Sequence, residues 1–407
     1  MNNPDNYFIT IEQAREKISQ LIKPVSGFEQ RSLMQSLDYI VDENIKASFA
    51  TPPYDNSGMD GYALHLNEDN QYKMIGTSSA GHPFNQHVSS GECVRIMTGA
   101  KVPEGANSVV MQENINKLND TTIDVNIMPK HHENIRFTGE DLKPGDNILS
   151  KGKKVTPSDL AYLASQGIGE IRVRRKIRAA FFSTGDELCS MNESLGDGQI
   201  YDANRYSIYG MLVSLGVEVI DMGIIKDDRE AIEEAFLQAS QNADIVITSG
   251  GVSVGDADYV AETLTKLGNI DFWKISMKPG KPLAFGLINN SLFFGLPGNP
   301  VSVIATFYQV AQVAIKQLSG ESQSEQLIVL AETEDFIKKR PGRTDFQRGC
   351  FSCDAEGKLS VKLTGTQGSH ILTSMSKANC FIVLDKEQGS IDIGEQVKIQ
   401  PFYGLLS

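Results

Sequence analysis

Between residues 176 and 320 the chain alternates short, nearly uninterrupted apolar runs with amphipathic helical stretches. This alternation limits its possible folds more than any other feature. The apolar runs are residues 177–182, 217–220 and 244–248, and the helical stretches between them are 204–215 and 228–240. A half-solvated strand alternates apolar and polar residues, whereas a strand covered on both faces is apolar throughout. The pattern therefore predicts a mostly parallel sheet with helices on both faces.

Three glycine-containing turns follow strands in this region. They are Ser183-Thr184-Gly185-Asp186-Glu187-Leu188, then Thr248-Ser249-Gly250-Gly251-Val252-Ser253-Val254-Gly255-Asp256-Ala257-Asp258, then Gly295-Leu296-Pro297-Gly298-Asn299-Pro300. In open α/β sheets, ligands bind beyond the carboxyl ends of the strands. Glycine lets the backbone approach a phosphate and turn its N–H groups toward it. One such turn is weak, because glycine ends many strands for steric reasons, but three in one sheet favour a binding cleft. Its candidate binding residues are Thr184, Gly185, Ser249, Gly250, Gly251, Pro297 and Pro300. Pro300 can also open a helix whose positive end faces an anion.

Charged residues crowd the same turns. Asp186, Glu187, Asp256 and Asp258 lie within them, with Asp227 and Asp228 one strand away. Carboxylates beside phosphates imply a divalent cation between them, and Mg²⁺ takes one or two carboxylates plus phosphate oxygens. Asp186, Glu187, Asp256 and Asp258 are the candidate metal ligands. Asp228 precedes a helical stretch, where capping is the competing reading. Lys274, Lys278 and Lys281 flank a Pro279-Gly280 turn that would bring Lys278 and Lys281 to one end of the sheet, as point charges for an oxyanion.

The remaining segments differ in texture. Thr10 and Gln13 have capping-box spacing, followed by an apolar stripe of Ile11, Ala14, Ile18 and Leu21, and residues 33–40 read as a second helical stretch. From about 51 to 149, β-like runs at 93–97, 108–112 and 122–127 alternate with turns. Thr156, Pro157 and Gly167 punctuate another helix that resembles the opening segment in character. The expected division is a discontinuous linker domain of 1–50 plus 145–176 and an inserted, mainly β module of 51–144. An α/β domain of 177–323 and a small C-terminal β-barrel of 324–407, with runs at 380–384 and 396–399, complete it.

A net charge of −13 argues against general nucleic-acid binding, which needs clustered cations. The most apolar segment, 301–315, is interrupted by Ser302, Thr306, Gln309 and Gln312, and reads as a buried helix rather than a membrane span. The start lacks the basic and apolar regions of a signal peptide, and five scattered cysteines suit a reducing compartment, so a cytoplasmic protein is expected. Cys350 and Cys353 resemble half a zinc site without a second pair. His131-His132 reads as solvated and Trp273 as core.

In combination these motifs are specific. The first turn with Gly196-Asp197-Gly198-Gln199-Ile200-Tyr201-Asp202, the other two turns, and Lys278-Pro279-Gly280-Lys281-Pro282 are similar to the molybdopterin-binding domain of the molybdopterin molybdenumtransferase family (MoeA family, gephyrin E-domain-like). The resemblance extends to Asp55-Asn56-Ser57-Gly58-Met59-Asp60-Gly61-Tyr62-Ala63, Arg95-Ile96-Met97-Thr98-Gly99-Ala100, Gly139-Glu140-Asp141, Pro341-Gly342-Arg343 and Gln367-Gly368-Ser369-His370. It implies adenylylated molybdopterin and molybdate as substrates, AMP as leaving product, Mg²⁺ as cofactor, and a homodimer whose cleft joins the pterin-binding domain to the partner's inserted module. It also implies exchange with a molybdopterin adenylyltransferase and with proteins that accept the finished cofactor. It carries catalytic roles onto Asp60, Thr98, Asp141, Glu187, Asp228, Asp258, Lys274 and Lys278. Two positions depart from the pattern: Gly58 stands where alanine is expected, and Arg136 is followed by Phe137-Thr138 rather than by more arginine. The rival readings are the preceding adenylyl transfer from ATP and a pterin carrier or scaffold without chemistry.

Overall fold

The computed structural model describes residues 8–250, 259–322, 326–402 and 406. Its centre is a seven-stranded sheet built from β1 (Phe8–Ile9), β2 (Arg178–Thr184), β3 (Glu218–Ile225), β4 (Ile245–Ser249), β5 (Gly268–Ile275), β6 (Pro282–Ile288) and β7 (Ser291–Leu296). The spatial order is β1-β5-β6-β7-β4-β2-β3. β6 pairs antiparallel with both its neighbours, and every other pairing is parallel. Side chains alternate between faces along a strand, so consecutive apolar residues feed two cores. Ala179, Phe181, Ile245 and Ile247 enter one, and Ala180, Phe182 and Val246 enter the other.

Helices complete both layers. On the first face lie α1 (Ile11–Leu21) and α2 (Ala203–Ser214), through Ile11, Ala14, Ile18, Ile208, Met211 and Leu212. On the second lie α3 (Arg229–Asn242) and α4 (Tyr259–Leu267), through Ile232, Phe236, Val260 and Leu264. Phe236 packs edge-on against Phe182 and Phe293, at centroid distances of 5.1 and 5.6 Å. Such pairs contribute about 0.5–1.5 kcal/mol beyond area burial. α5 (Pro300–Thr306) runs through a π-turn (Phe307–Ala311) into α6 (Gln312–Ser319) and is buried along most of its length. Its glutamines are satisfied inside the core: Gln309 Nε2 donates to Gln400 Oε1 at 2.6 Å, and Gln312 Nε2 to the Tyr308 carbonyl at 2.5 Å. No helix among the described residues is long and apolar enough to cross a membrane.

Two distant pieces of chain share a separate core. Strand Phe28–Ser32 pairs with Glu170–Arg174, and Ile45–Lys46 with Asn147–Leu149. Val41, Leu142, Leu149, Leu163 and Val173 pack together beneath helix Pro157–Ser165. Both expected caps are present, at Thr10 with Gln13 and at Thr156 with Asp159. Residues 33–40 do not form the expected helix. Only a single 3-10 turn (Leu33–Gln35) forms, because the Leu33 N–H donates to the Gly169 carbonyl and Ile40 and Val41 bridge to Lys154 and Val173. Tertiary pairing thus overrides local propensity.

Between these pieces the chain leaves to form a six-stranded sheet that includes Gly61–Leu64, Glu92–Ile96, Ser108–Met111 and Thr122–Val125. At the other end of the chain, the strands Val329–Thr333, Thr344–Cys353, Leu359–Leu363, Cys380–Leu384 and Gln396–Pro401 close into a five-stranded barrel. The short strand Met277–Lys278 joins its edge beside Thr344–Cys353.

Candidate functional site

The three glycine turns leave the carboxyl ends of the adjacent parallel strands β2, β4 and β7, with Ser183 opposite Ser249 and Ser249 opposite Leu296. Thr184 and Ser249 are buried there, and Asp186 and Glu187 are exposed. Gly185 adopts φ +147°, and a Cβ would meet the Glu187 carboxylate at 2.5 Å. Gly250 adopts φ +90°, and a Cβ would lie 2.9 Å from the Thr184 carbonyl. The positive φ favours glycine at both positions, and at Gly250 the backbone approach excludes a side chain as well. Gly251, Asp256 and Asp258 lie outside the described residues.

The third turn is tied down from two sides. Pro297 is buried, and Pro300 opens α5, as its fixed φ suits. At the opening of this helix the Val301 N–H donates to the Ser369 carbonyl at 3.1 Å. Asn204, at the start of α2, reaches across the cleft floor. Its Nδ2 donates to Ser249 Oγ at 2.8 Å and to the Gly298 carbonyl at 2.7 Å. The sequence motif ends at Asp202 but gives it no role, and it does not reach Asn204. Asp202 is legible as a cap, since its Oδ1 accepts from the Arg205 N–H, but no local signal distinguishes Asn204. Among the described residues, Ser183 Oγ, Thr248 Oγ1, Asp202 Oδ2 and Asn204 Oδ1 are buried without a hydrogen-bond partner. Orphaned buried polar atoms are rare in native proteins, and two on the strands beside two at the start of α2 suit a ligand that completes them.

The acids gather beside this cleft. Burial pushes the Asp227 carboxyl above its usual range, and neighbouring Asp186 and Glu187 push it the same way. A divalent cation would relieve such crowding of like charges. The described residues alone contain no group of three metal-ligating side chains. Asp228 caps α3, its Oδ1 accepting from the Glu230 and Ala231 N–H groups at 3.1 and 3.0 Å.

The lysines occupy the same edge of the sheet. β5 runs parallel to β1 and, through antiparallel β6, has the same direction as β7, so the turn after Ile275 emerges at the carboxyl end. Lys278 is exposed, and its Nζ lies 3.3 Å from Asp345 Oδ2 of the barrel. Lys281 is also exposed and stacks over the Phe8 ring at 5.1 Å. Lys274 is half-buried on β5, opposite Pro282 and Phe8.

Asp60 and Thr98 form a unit of their own in the inserted module. Asp60 Oδ1 accepts from the Thr98 N–H and from Thr98 Oγ1, both at 2.7 Å. These bonds hold the exposed Asp60 carboxyl below its usual range. Asp55 Oδ1 makes a similar clamp on Thr138, which ties down the turn before Asp141. Asp141 is exposed, and its N–H donates to the Thr51 carbonyl at 3.0 Å. No hydrogen bond or ion pair among the described residues joins Asp60, Thr98 or Asp141 to the cleft of the same chain. Cys350 and Cys353 are exposed with no metal cluster among the described residues, and Trp273 is buried against Phe285.

Comparison with known proteins yields three consecutive family matches: "MoeA N-terminal region (domain I and II)" over residues 9–167, "Probable molybdopterin binding domain" over 180–317, and "MoeA C-terminal region (domain IV)" over 331–402. A molybdopterin molybdenumtransferase of Haemophilus influenzae is 44% identical over 402 residues, covering 98% of this chain and 100% of the relative. One from Staphylococcus aureus strain COL is 33% identical over 397 residues, covering 95% and 94%. Among solved structures, the molybdopterin biosynthesis moeA protein of Pyrococcus horikoshii OT3 superposes with a TM-score of 0.84 at 27% identity, over 97% of this chain and 100% of that one.

Proposed function

The chain belongs to the MoeA family of molybdopterin molybdenumtransferases, and from that premise we propose that it inserts molybdate into the dithiolene of adenylylated molybdopterin with release of AMP. The observation that carries this reading is the coincidence, at one edge of the sheet, of three ligand-approach turns, four orphaned buried polar atoms and the lysine turn. In this reading the amides around Gly185 and Gly250 and the Lys278 ammonium hold the phosphates, while Thr184, Ser249, Gly251, Lys281, Pro297 and Pro300 shape the site. Asp186 and Glu187, with Asp256 and Asp258, would hold Mg²⁺. When bound, Mg²⁺ supplies charge that stabilises the phosphate oxygens as AMP departs. The lysine side chains receive the molybdate oxyanion; as both dithiol sulfurs bond to molybdenum, their two protons leave with one molybdate oxygen as water, and water takes up the phosphoanhydride bond that breaks as AMP departs.

Among the described residues Asp60, Thr98 and Asp141 make no bond to this cleft within one chain, which supports a homodimer in which they serve the partner's cleft. The exposed Tyr206, Tyr209 and Val213 on α2, beside Ile200 and Tyr201, offer an apolar face for such pairing. The division into units of 1–50 with 145–176, 51–144, 177–323 and 324–407 is supported by separate cores for the rest of the first unit, the inserted module and the barrel, whereas Phe8–Ile9 and α1, expected in the first unit, pack into the α/β sheet and its core because their apolar stripe is buried there. Five free thiols suit a cytoplasmic enzyme that meets an adenylyltransferase upstream and cofactor acceptors downstream.

The test is AMP release from adenylylated molybdopterin with Mg²⁺, with and without molybdate. Molybdate-dependent release with molybdenum retained on the pterin is expected. Pyrophosphate formed from ATP and molybdopterin would replace this reading with adenylyl transfer, and tight binding without release would replace it with a carrier.

A further inference from the structure

Lys278 is tied to the C-terminal barrel by a deeply buried carboxylate. Met277–Lys278 pairs in parallel with the start of Thr344–Cys353, which sets Lys278 opposite Asp345. The seam is reinforced by the Thr344 N–H donating to the Ser276 carbonyl at 3.1 Å and by Ser276 Oγ donating to the Gly342 carbonyl at 3.2 Å. Asp345 is 5% exposed, and its Oδ2 accepts from Lys278 Nζ at 3.3 Å and from Gln347 Nε2 at 3.2 Å. Gln347 is itself buried and also donates to the Lys338 carbonyl at 3.0 Å, so the carboxylate is held from behind.

Two other cations lie within electrostatic reach of Asp345, Lys339 and Arg348. Both are buried, and their donors are engaged elsewhere. Lys339 Nζ donates to the carbonyls of Arg340, Lys386 and Gln388. Arg348 donates to Ser374 Oγ at 3.0 Å and to the Gly368 carbonyl at 3.1 Å. Of these three cations Lys278 bonds to the carboxylate, and about half of its side chain remains exposed. An unrestrained lysine loses up to roughly 2 kcal/mol of rotamer freedom when it is fixed. A lysine already pinned by a rigid carboxylate meets its anion with much of that ordering done.

We propose that Asp345 is a positioning residue for the transfer reaction, fixing the Lys278 ammonium at the carboxyl edge of the sheet to receive the oxyanion substrate. The inference rests on the transferase reading above and goes beyond it by assigning a role to Asp345, the barrel carboxylate that faces Lys278.

The test is a double-mutant cycle on the full-length protein, using wild type, Asp345→Asn, Lys278→Ala and the double variant. Each is assayed for molybdate-dependent AMP release at varied molybdate. Asp345→Asn is expected to raise KM for molybdate about tenfold, with a smaller change in kcat, and to add almost nothing in the Lys278→Ala background. Asp345→Glu should recover part of the loss. A merely structural Asp345 would lower thermal stability and leave KM in place, or would weaken turnover equally in both backgrounds, and either result overturns the proposal. Should Asp345→Asn fold poorly, Asp345→Ser provides the same comparison. Wild type that lacks molybdate-dependent release would sink the transferase reading and this inference with it. Wild-type turnover combined with an additive cycle would sink the inference alone.

Discussion

Asp244→Asn isolates one electrostatic joint from the chemistry. Asp244 precedes β4 at the amino-terminal end of the sheet, opposite the cleft. Its Oδ1 accepts from Arg175 Nη2 at 2.7 Å, and its Oδ2 from Arg175 Nη1 at 2.8 Å and from the Arg178 N–H at 2.9 Å. Arg175 Nε also donates to the Ser26 carbonyl at 3.0 Å, so the guanidinium fastens the sheet to the segment after α1. Burial alone would raise the Asp244 carboxyl, but the Arg175 and Arg178 bonds outweigh it and hold the group below its usual range. Asparagine keeps one acceptor oxygen and turns an NH₂ donor toward guanidinium donors. Hydrogen bonds to charged groups contribute about 1.5–3 kcal/mol each. With side chains 29% and 20% exposed, screening favours the low end, and the loss should total about 2–3 kcal/mol.

The pH dependence follows from the depressed folded value. The contribution is complete above the unfolded carboxyl pKa, about 3.9, and fades as pH falls through the lower folded value. Denaturant unfolding of wild type and variant should therefore differ by the same amount at pH 7 and pH 5, and converge below about pH 4. A gap under about 0.5 kcal/mol at pH 7, or one that persists unchanged to pH 3, would refute the reasoning. Turnover should survive, because the joint lies at the opposite end of the sheet.

Three other outcomes are expected. In Gly61→Ala the new Cβ would stand 1.8 Å from the Val110 carbonyl oxygen, part of a paired strand. Its cost should reach or exceed the 1–3 kcal/mol typical of overpacking, and hydrogen exchange should show the module's sheet opening while the α/β domain stays protected. In Gly58→Ala the new Cβ would meet the Asn134 carbonyl oxygen at 3.4 Å and Arg136 Nε at 3.7 Å, ordinary contacts. A gain of about 0.4–1 kcal/mol in denaturant unfolding is expected from the stiffer unfolded chain, and a loss would mean that the turn needs glycine. Burial pushes the Cys93 and Cys380 thiols up to about 12 and also raises buried Cys189, whereas Cys350 and Cys353 are exposed. A thiol reagent at pH 8 should titrate two cysteines quickly in the native protein and five after denaturation, and a third fast thiol would contradict the burial.

The sequence by itself determined the features that neighbours in the chain encode. Continuous apolar runs placed β2, β3 and β4, side-chain spacing placed the caps at Thr10 and Thr156, and glycine and proline marked the three turns at strand ends. Tertiary structure decided whatever depends on residues distant in the chain. Residues 33–40 became bridges rather than a helix because Gly169, Lys154 and Val173 supplied partners. Asn204 gained its place in the cleft only when α2 packed beside Gly298, and Asp345 met Lys278 only when the barrel docked on the lysine turn. A residue's helical or strand period is written within a few positions of itself. Its partner across 67 or 94 positions is selected by the packing of whole layers, whose burial energy no local window contains.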